Sequence, residues 1–212
     1  MKTHVISSAT LAQAGEKAAE SLGAWINRQV SLKWIEPENL SLEQAGEMLG
    51  PADQIVPACV MEVHGPLQGR LVLVADSKTV ASFVNAMLGE PASPTKIQTD
   101  LMETDPKAFW DELSQSAALE TANIVACAYL NALATTLPEN ETGQLLPSPP
   151  QFVLDYAGSL GQFLLFDLAM DATGILVTQS QMLVDNQMTS NWRLVWIPTN
   201  PSQDSSDSRG LE

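Results

Sequence analysis

Residues 106–137 carry the pattern that most restricts how this chain can fold. Asp105-Pro106 supplies a cap with a proline at the first helical position, and Leu137-Pro138 supplies a stop, so the spacing predicts one long helix over 106–137. At about 100° per residue, Ala118, Ala122, Val125 and Tyr129 fall on one side of it. Ser116, Glu120 and Asn123, at i, i+4 and i+7, form a narrow stripe on the other. The small apolar side allows close approach to a neighbouring element. The stripe sets an acid beside an amide, a pair able to hold and orient a water.

A second Ala-rich helix is predicted over 8–29, where Leu11, Ala14, Ala18, Leu22 and Ile26 keep helical spacing, followed by a strand at Val30–Ile35. Ser41 opens a short helix, with Gln44 completing a capping box and Gly50 marking its stop. Ile55–His64 and Gly69–Ala75 are β-rich runs joined by Gly65-Pro66-Leu67-Gln68, a hairpin signal. Asp76 or Ser77 then caps a helix reaching Leu88, which Gly89 ends. The segment Glu90–Thr104, with Pro91 and Pro94, reads as a connector.

Beyond the long helix, a loop with Pro147-Ser148-Pro149-Pro150 leads to Phe152–Tyr156 and an apolar helix near Leu160–Met170. Strands at Gly174–Val184 and Trp192–Ile197 flank the turn-rich Asp185-Asn186-Gln187. The two halves share an order: a long Ala-rich helix, a short region, then a hairpin. The expected fold is therefore α+β, an internally duplicated α/β unit with a central, mainly antiparallel sheet and both long helices packed on one face. The expected strands include 56–64, 69–75, 175–184 and 190–197. One domain spans 1–198, with pseudo-repeats at about 8–90 and 105–198, and 199–212 is an acidic tail with little to bury, expected to be disordered.

Charge narrows the partner. With 25 Asp and Glu against 10 Lys and Arg, the formal charge is −15, which excludes phosphate-backbone binding and disfavours an anionic membrane surface. A protein or small-molecule partner fits better, and an acidic surface also steers a partner that presents a basic patch. The amino terminus lacks the layout of a secretory signal, and no run approaches the roughly 18–20 apolar residues of a membrane span, so a cytoplasmic location without membrane insertion is expected. Cys59 and Cys127, one in a predicted strand and one in a helix, make neither a disulfide framework nor a zinc site and read as small buried hydrophobes.

His4 and His64 form no metal cluster with the cysteines, and no Ser-His-Asp arrangement is visible. Gly158-Ser159-Leu160-Gly161 is too short for a phosphate loop and lacks its Lys. Trp34, Trp192 and Trp196 lie in predicted strands as core anchors. Taken alone, Glu-x-x-Asn is a weak motif. By itself it more often marks a partly buried Asn123 bonded to a neighbouring helix and a Glu120 that is ordinary surface charge.

The surrounding residues are more specific. The run Ser116-Ala117-Ala118-Leu119-Glu120-Thr121-Ala122-Asn123-Ile124 continues through Ala128-Tyr129-Leu130-Asn131-Ala132-Leu133-Ala134, then Pro147-Ser148-Pro149-Pro150 and Asp155-Tyr156-Ala157-Gly158. It resembles the CheC/CheX/FliY family, whose signature is an Asp or Ser, three residues, Glu, two residues, Asn, and a later proline. The proline comes late here, which implies a longer loop after Leu137. The resemblance extends back through Leu49-Gly50-Pro51, the hairpin at Gly65-Pro66-Leu67-Gln68-Gly69, and Met87-Leu88-Gly89-Glu90, covering nearly the whole chain up to Pro198.

The resemblance implies a protein aspartyl-phosphate phosphatase, a hydrolase acting on the phosphorylated CheY-like receiver domain of chemotaxis signalling. Asn123 would position the attacking water and Glu120 would pair with a lysine of the regulator, with Ser116 as a supporting contact. The chain would need no cofactor of its own, because the receiver carries the Mg²⁺ and a Lys beside its phosphoaspartate. Many CheC-type members carry the motif in both halves. Here Glu16 and Glu20 are followed three residues on by Ala19 and Gly23, so a single site is expected, as in CheX-like members. The alternative is a non-enzymatic binding module of the same fold, comparable to the flagellar-switch protein FliM or to a partner of a CheD-like deamidase.

Overall fold

The computed structural model describes residues 7–40, 44, 47, 49–75, 77–87, 95–137, 143–165, 175–184 and 187–198. In chain order the elements are α1 (Ser8–Ile26), β1 (Val30–Leu40), β2 (Ile55–His64), β3 (Gly69–Val74), α2 (Ser77–Met87), α3 (Lys96–Thr104), α4 (Pro106–Phe109) and α5 (Glu112–Ala134). They are followed by β4 (Leu146–Pro147), β5 (Gln151–Tyr156), α6 (Ala157–Leu165), β6 (Ile175–Val184) and β7 (Gln187–Pro198). Ser41, Asp76, Leu88, Gly89, residues 166–170, Asp185, Asn186 and the tail from Thr199, all of which figured in the sequence expectations, lie outside the described residues.

The sheet runs β1-β6-β7-β3-β2, with β4 and β5 both beside β2, and every pairing is antiparallel. The predicted hairpin forms with Val63 opposite Gly69. Gly65 in its turn has φ +129°, and a Cβ there would lie 2.3 Å from the Gln144 carbonyl oxygen, so both the backbone angle and the space favour glycine. β1 continues past Ile35 to Leu40, with a register shift between Ile35 and Glu38 around Pro37. Its only described strand partner is β6, and an edge strand tolerates a proline that a central strand would not.

Side chains alternate across the sheet, and both faces are covered. Cys59, Met61, Val63, Leu71, Leu73 and Trp196 join one cluster with α1, α2 and α5, while Ala58, Val60, Val72, Val74, Val195 and Ile197 pack with Leu49, Leu160 and Leu164 on the other. The long helices α1 and α5 lie against each other on the first face, as their Ala-rich sides require. Trp196 is 3% exposed. The side chains of Trp34 and Trp192 lie outside the described set.

Four expectations need correction. α1 stops at Ile26 rather than at 29, because Asn27 turns left-handed (φ 52°) and the N–H groups of Asn27 and Arg28 close on the Gly23 carbonyl. The connector 90–104 contains α3, started by a capping box in which Thr95 accepts from the Gln98 backbone and Gln98 accepts from the Thr95 backbone. The helix expected over 106–137 is broken at Trp110-Asp111 into α4 and α5. Trp110 turns inward onto Phe152, ring centroids 4.8 Å apart, and Asp111 begins α5 anew. Finally, among the described residues one helix, α5, is long and apolar enough to cross a bilayer by composition, but half of its most apolar window is buried in the protein, and it packs against α1.

Candidate functional site

Packing decides which way α5 faces. Ala117, Ala118, Ala122, Val125, Ala126, Tyr129, Leu130 and Leu133 are all buried, the last six at 1% exposure or less, so the inward side is apolar. Fully burying a Leu or Val contributes about 1.5–3 kcal/mol relative to exposure. Rotating the helix to present another face would forfeit several such terms. The polar stripe is thereby held outward, and Ser116, Glu120 and Asn123 are all exposed. The structure brings the three predicted residues together along one side of one helix.

The start of that helix is fixed by Asp111. Its carboxylate accepts from the Ser114 backbone N–H at 2.8 Å, and the hydrogen bonds from the Ser114 backbone and hydroxyl hold its carboxyl below the usual carboxylate range against a small opposing effect of burial. Ser114 is itself buried. A negative charge here also meets the positive end of the helix dipole. Glu112 in the first turn adds to the same field.

Among the described residues, neither Ser116 nor Glu120 has a side-chain hydrogen bond or ion pair, so the Glu120 carboxylate is open to an incoming cation. Asn123 is not a buried structural amide. Its Oδ1 accepts a hydrogen bond from the Cys127 thiol at 3.8 Å, one turn farther along. Cys127 is therefore half-buried and polar in its role, which corrects the expectation that both cysteines are plain hydrophobes. Cys59 fits that expectation: it is buried in the sheet, and burial pushes its thiol pKa up to about 12.

Two residues on this stripe escape a motif search. Leu113, 53% exposed, and Cys127 stand at i−3 and i+4 from Ser116 and Asn123, continuing the alternation of three and four that already relates 116, 120 and 123. That spacing was the available signal. At 100° per residue all five side chains lie within about 80° of helix surface. Glu120 and Asn123 stand about 4.5 Å apart along the axis.

The other sequence candidates lie elsewhere. His64 is exposed at the end of β2, and Gly158–Gly161 is part of α6 rather than a loop. Among the described residues, no three His, Cys, Asp or Glu side chains converge as a metal-ligand group. An exposed helix stripe has no walls to shut out water. It can hold a water and a cation, but the remainder of any reaction site has to come from what docks on it.

No family model matches the chain. It is 27% identical over 143 residues to the CheY-P phosphatase CheC of Bacillus subtilis (strain 168), a match that spans 68% of this chain and 62% of that protein, so less than two thirds of the relative's length is represented. Among solved structures it is similar to Thermotoga maritima FliY, with a TM-score of 0.65 and 17% identity over 90% of this chain and 87% of that one. It is also similar to a chain in the CheX-CheY-BeF3-Mg²⁺ complex from Borrelia burgdorferi, with a TM-score of 0.55 and 11% identity over 92% of this chain and 100% of the other. At those identities the structural likeness concerns the fold.

Proposed function

We propose that the chain is a member of the CheC/CheX/FliY family, which its similarity to CheC and its fold support, and that it hydrolyses the aspartyl phosphate of a CheY-like receiver domain. The observation that carries this reading is that Glu120 and Asn123, spaced as the family motif requires, both face solvent on a helix whose opposite side is locked into the core. A buried pair would have served packing; an exposed pair is free to meet a partner. The relative named as a CheY-P phosphatase and the structural neighbour solved with CheY support the same reaction and the same partner class.

In this reading the receiver supplies the phosphoryl group, its Mg²⁺ and its lysine, and this chain supplies alignment. The Asn123 carboxamide binds a water and points its oxygen in line with the phosphorus. Attack forms the new P–O bond as the bond to the aspartate oxygen breaks, releasing inorganic phosphate and the aspartate carboxylate. Glu120 pairs with a receiver lysine and sets the docking register, with Ser116 beside it and Leu113 adding apolar area one turn away. Such an exchange between proteins suits a cytoplasmic setting. The chain's −15 charge favours encounter with a partner whose docking face is basic.

The alternative is a binding module without chemistry, flagellar-switch-like or docking a CheD-like deamidase. The observation that favours it is the absence of the motif from α1. The test follows phosphate release from a phosphorylated receiver over time, with and without the protein. We expect decay well above the receiver's own rate. Decay unchanged by the wild-type protein, with every receiver encoded beside it, supports the binding module instead.

A further inference from the structure

We infer that Cys127 is a positioning residue, which holds the Asn123 carboxamide in the orientation that leaves its amide nitrogen and one lone pair of Oδ1 facing outward. The inference rests on the proposed phosphatase reading for its consequence in catalysis, though not for its geometry. Asn123 stands on an exposed stripe, where a carboxamide without contacts turns freely about its terminal torsion. One turn on, the Cys127 thiol donates to Oδ1 at 3.8 Å. An S–H donor is weak, yet it distinguishes the two ends of an amide that are otherwise nearly equal in shape.

The consequence follows from counting donors and acceptors. Oδ1 has two lone pairs, and the thiol takes one, on the side toward the carboxyl end of α5. The other lone pair remains for a proton of the bound water, and the two N–H donors of Nδ2 lie on the side away from Cys127. Flipping the amide would set Nδ2 against the thiol and remove the acceptor from the water. The half-buried setting of Cys127 strengthens the argument, because a side chain anchored beside the packed face has fewer rotamers than one standing in solvent.

Substitution with Ser keeps a donor at the same place, whereas Ala removes it, so Cys127→Ser and Cys127→Ala separate donation from packing. The first readout needs no receiver. In ¹⁵N relaxation of the Asn123 side-chain amide, Cys127→Ala should lower the order parameter clearly, and Cys127→Ser should keep it near wild type. Equal values in all three proteins overturn the inference. The second readout is dephosphorylation, in which Cys127→Ala should lower kcat about threefold with KM unchanged, and Cys127→Ser should stay within a factor of two of wild type.

A loss in KM, or an equal loss in both variants with the fold intact by circular dichroism, also overturns it. Wild-type protein that is inactive on phosphorylated receivers refutes the phosphatase reading instead. The relaxation result then still decides the role of Cys127.

Discussion

The two long helices share a spacing of buried positions and present different chemistry. Sliding α1 along α5 until Leu22 meets Tyr129 brings Ala14 and Gly15 onto Thr121 and Ala122, Ala18 and Ala19 onto Val125 and Ala126, and Ile26 onto Leu133, all of them buried. In that alignment the exposed Gln13 and Glu16 fall where Glu120 and Asn123 stand. The acid and the amide have exchanged places. Packing against the sheet fixes which positions face outward, and it is indifferent to what stands there, so one helix can carry a motif that the other lacks.

The largest expected difference between the helices is in turnover. If Asn123 orients the water as the transition state forms, Asn123→Ala should lower kcat at least about tenfold, or roughly 1.4 kcal/mol, while binding of the phosphorylated receiver stays nearly intact. Glu16→Ala, at the matching place on α1, should leave kcat within experimental scatter. Single-turnover assays with circular dichroism on both variants make the comparison. A loss of more than a few-fold in a folded Glu16→Ala protein would show that α1 contributes to the reaction.

Glu120 belongs to docking, so its loss should appear in affinity. An exposed carboxylate–ammonium contact contributes about 1 kcal/mol or less, and Glu120→Ala should therefore raise KM up to roughly fivefold with kcat little changed. A receiver lacking the partner lysine should lose little more when paired with Glu120→Ala, since both changes remove the same contact. Gln13→Ala should do nothing measurable. Additive losses would place the Glu120 partner elsewhere.

The caps sharpen the comparison through stability. Both helices begin on a side chain that accepts a backbone N–H, Ser7 from Thr10 at 3.2 Å in α1 and Asp111 from Ser114 at 2.8 Å in α5. Replacing either with Ala should cost about 1 kcal/mol at neutral pH. Only the Asp111 deficit should depend on acid. Its folded carboxyl titrates below the ordinary range, so its contribution is fully present above the unfolded value and is lost as pH falls through the folded one. Urea titrations at neutral pH and near pH 2–3 should show the Asp111→Ala gap narrowing while the Ser7→Ala gap holds.

These helices also show what local sequence reveals and what it hides. Apolar periodicity identified the inward faces of both, and the hairpin signal at Gly65-Pro66 located β2 and β3, because each depends on residues close together in the chain. The break at Trp110 was hidden: no Gly or Pro marks it, and its cause is a ring contact with Phe152 from a distant strand. The capping box at Thr95 was legible but lay among prolines that argued for a connector. At the site, the outward stripe was plain from spacing. The hydrogen bond between Cys127 and Asn123 required the side-chain geometry, since an i, i+4 pair has several rotamers and only one makes the contact.

The smallest expected effect is also the most direct challenge to the comparison. If the frame is equivalent, then Gln13→Glu with Glu16→Asn writes the acid and the amide onto α1 in their motif order, at positions already exposed. Two differences limit the gain. Lys17, ion-paired to Glu20 at 2.7 Å, stands where α5 has Ile124. The new pair also has Glu20 where Cys127 sits beside Asn123, so nothing donates to the amide oxygen in the same way. In an Asn123→Ala background, where α5 is silent, the double change should raise receiver dephosphorylation only about two- to threefold above the residual rate. No gain at all would mean that an equivalent backbone frame is insufficient and that the surroundings of α5 carry part of the function. Restoration to the wild-type rate would mean the reverse, that two outward residues are all that separates the helices.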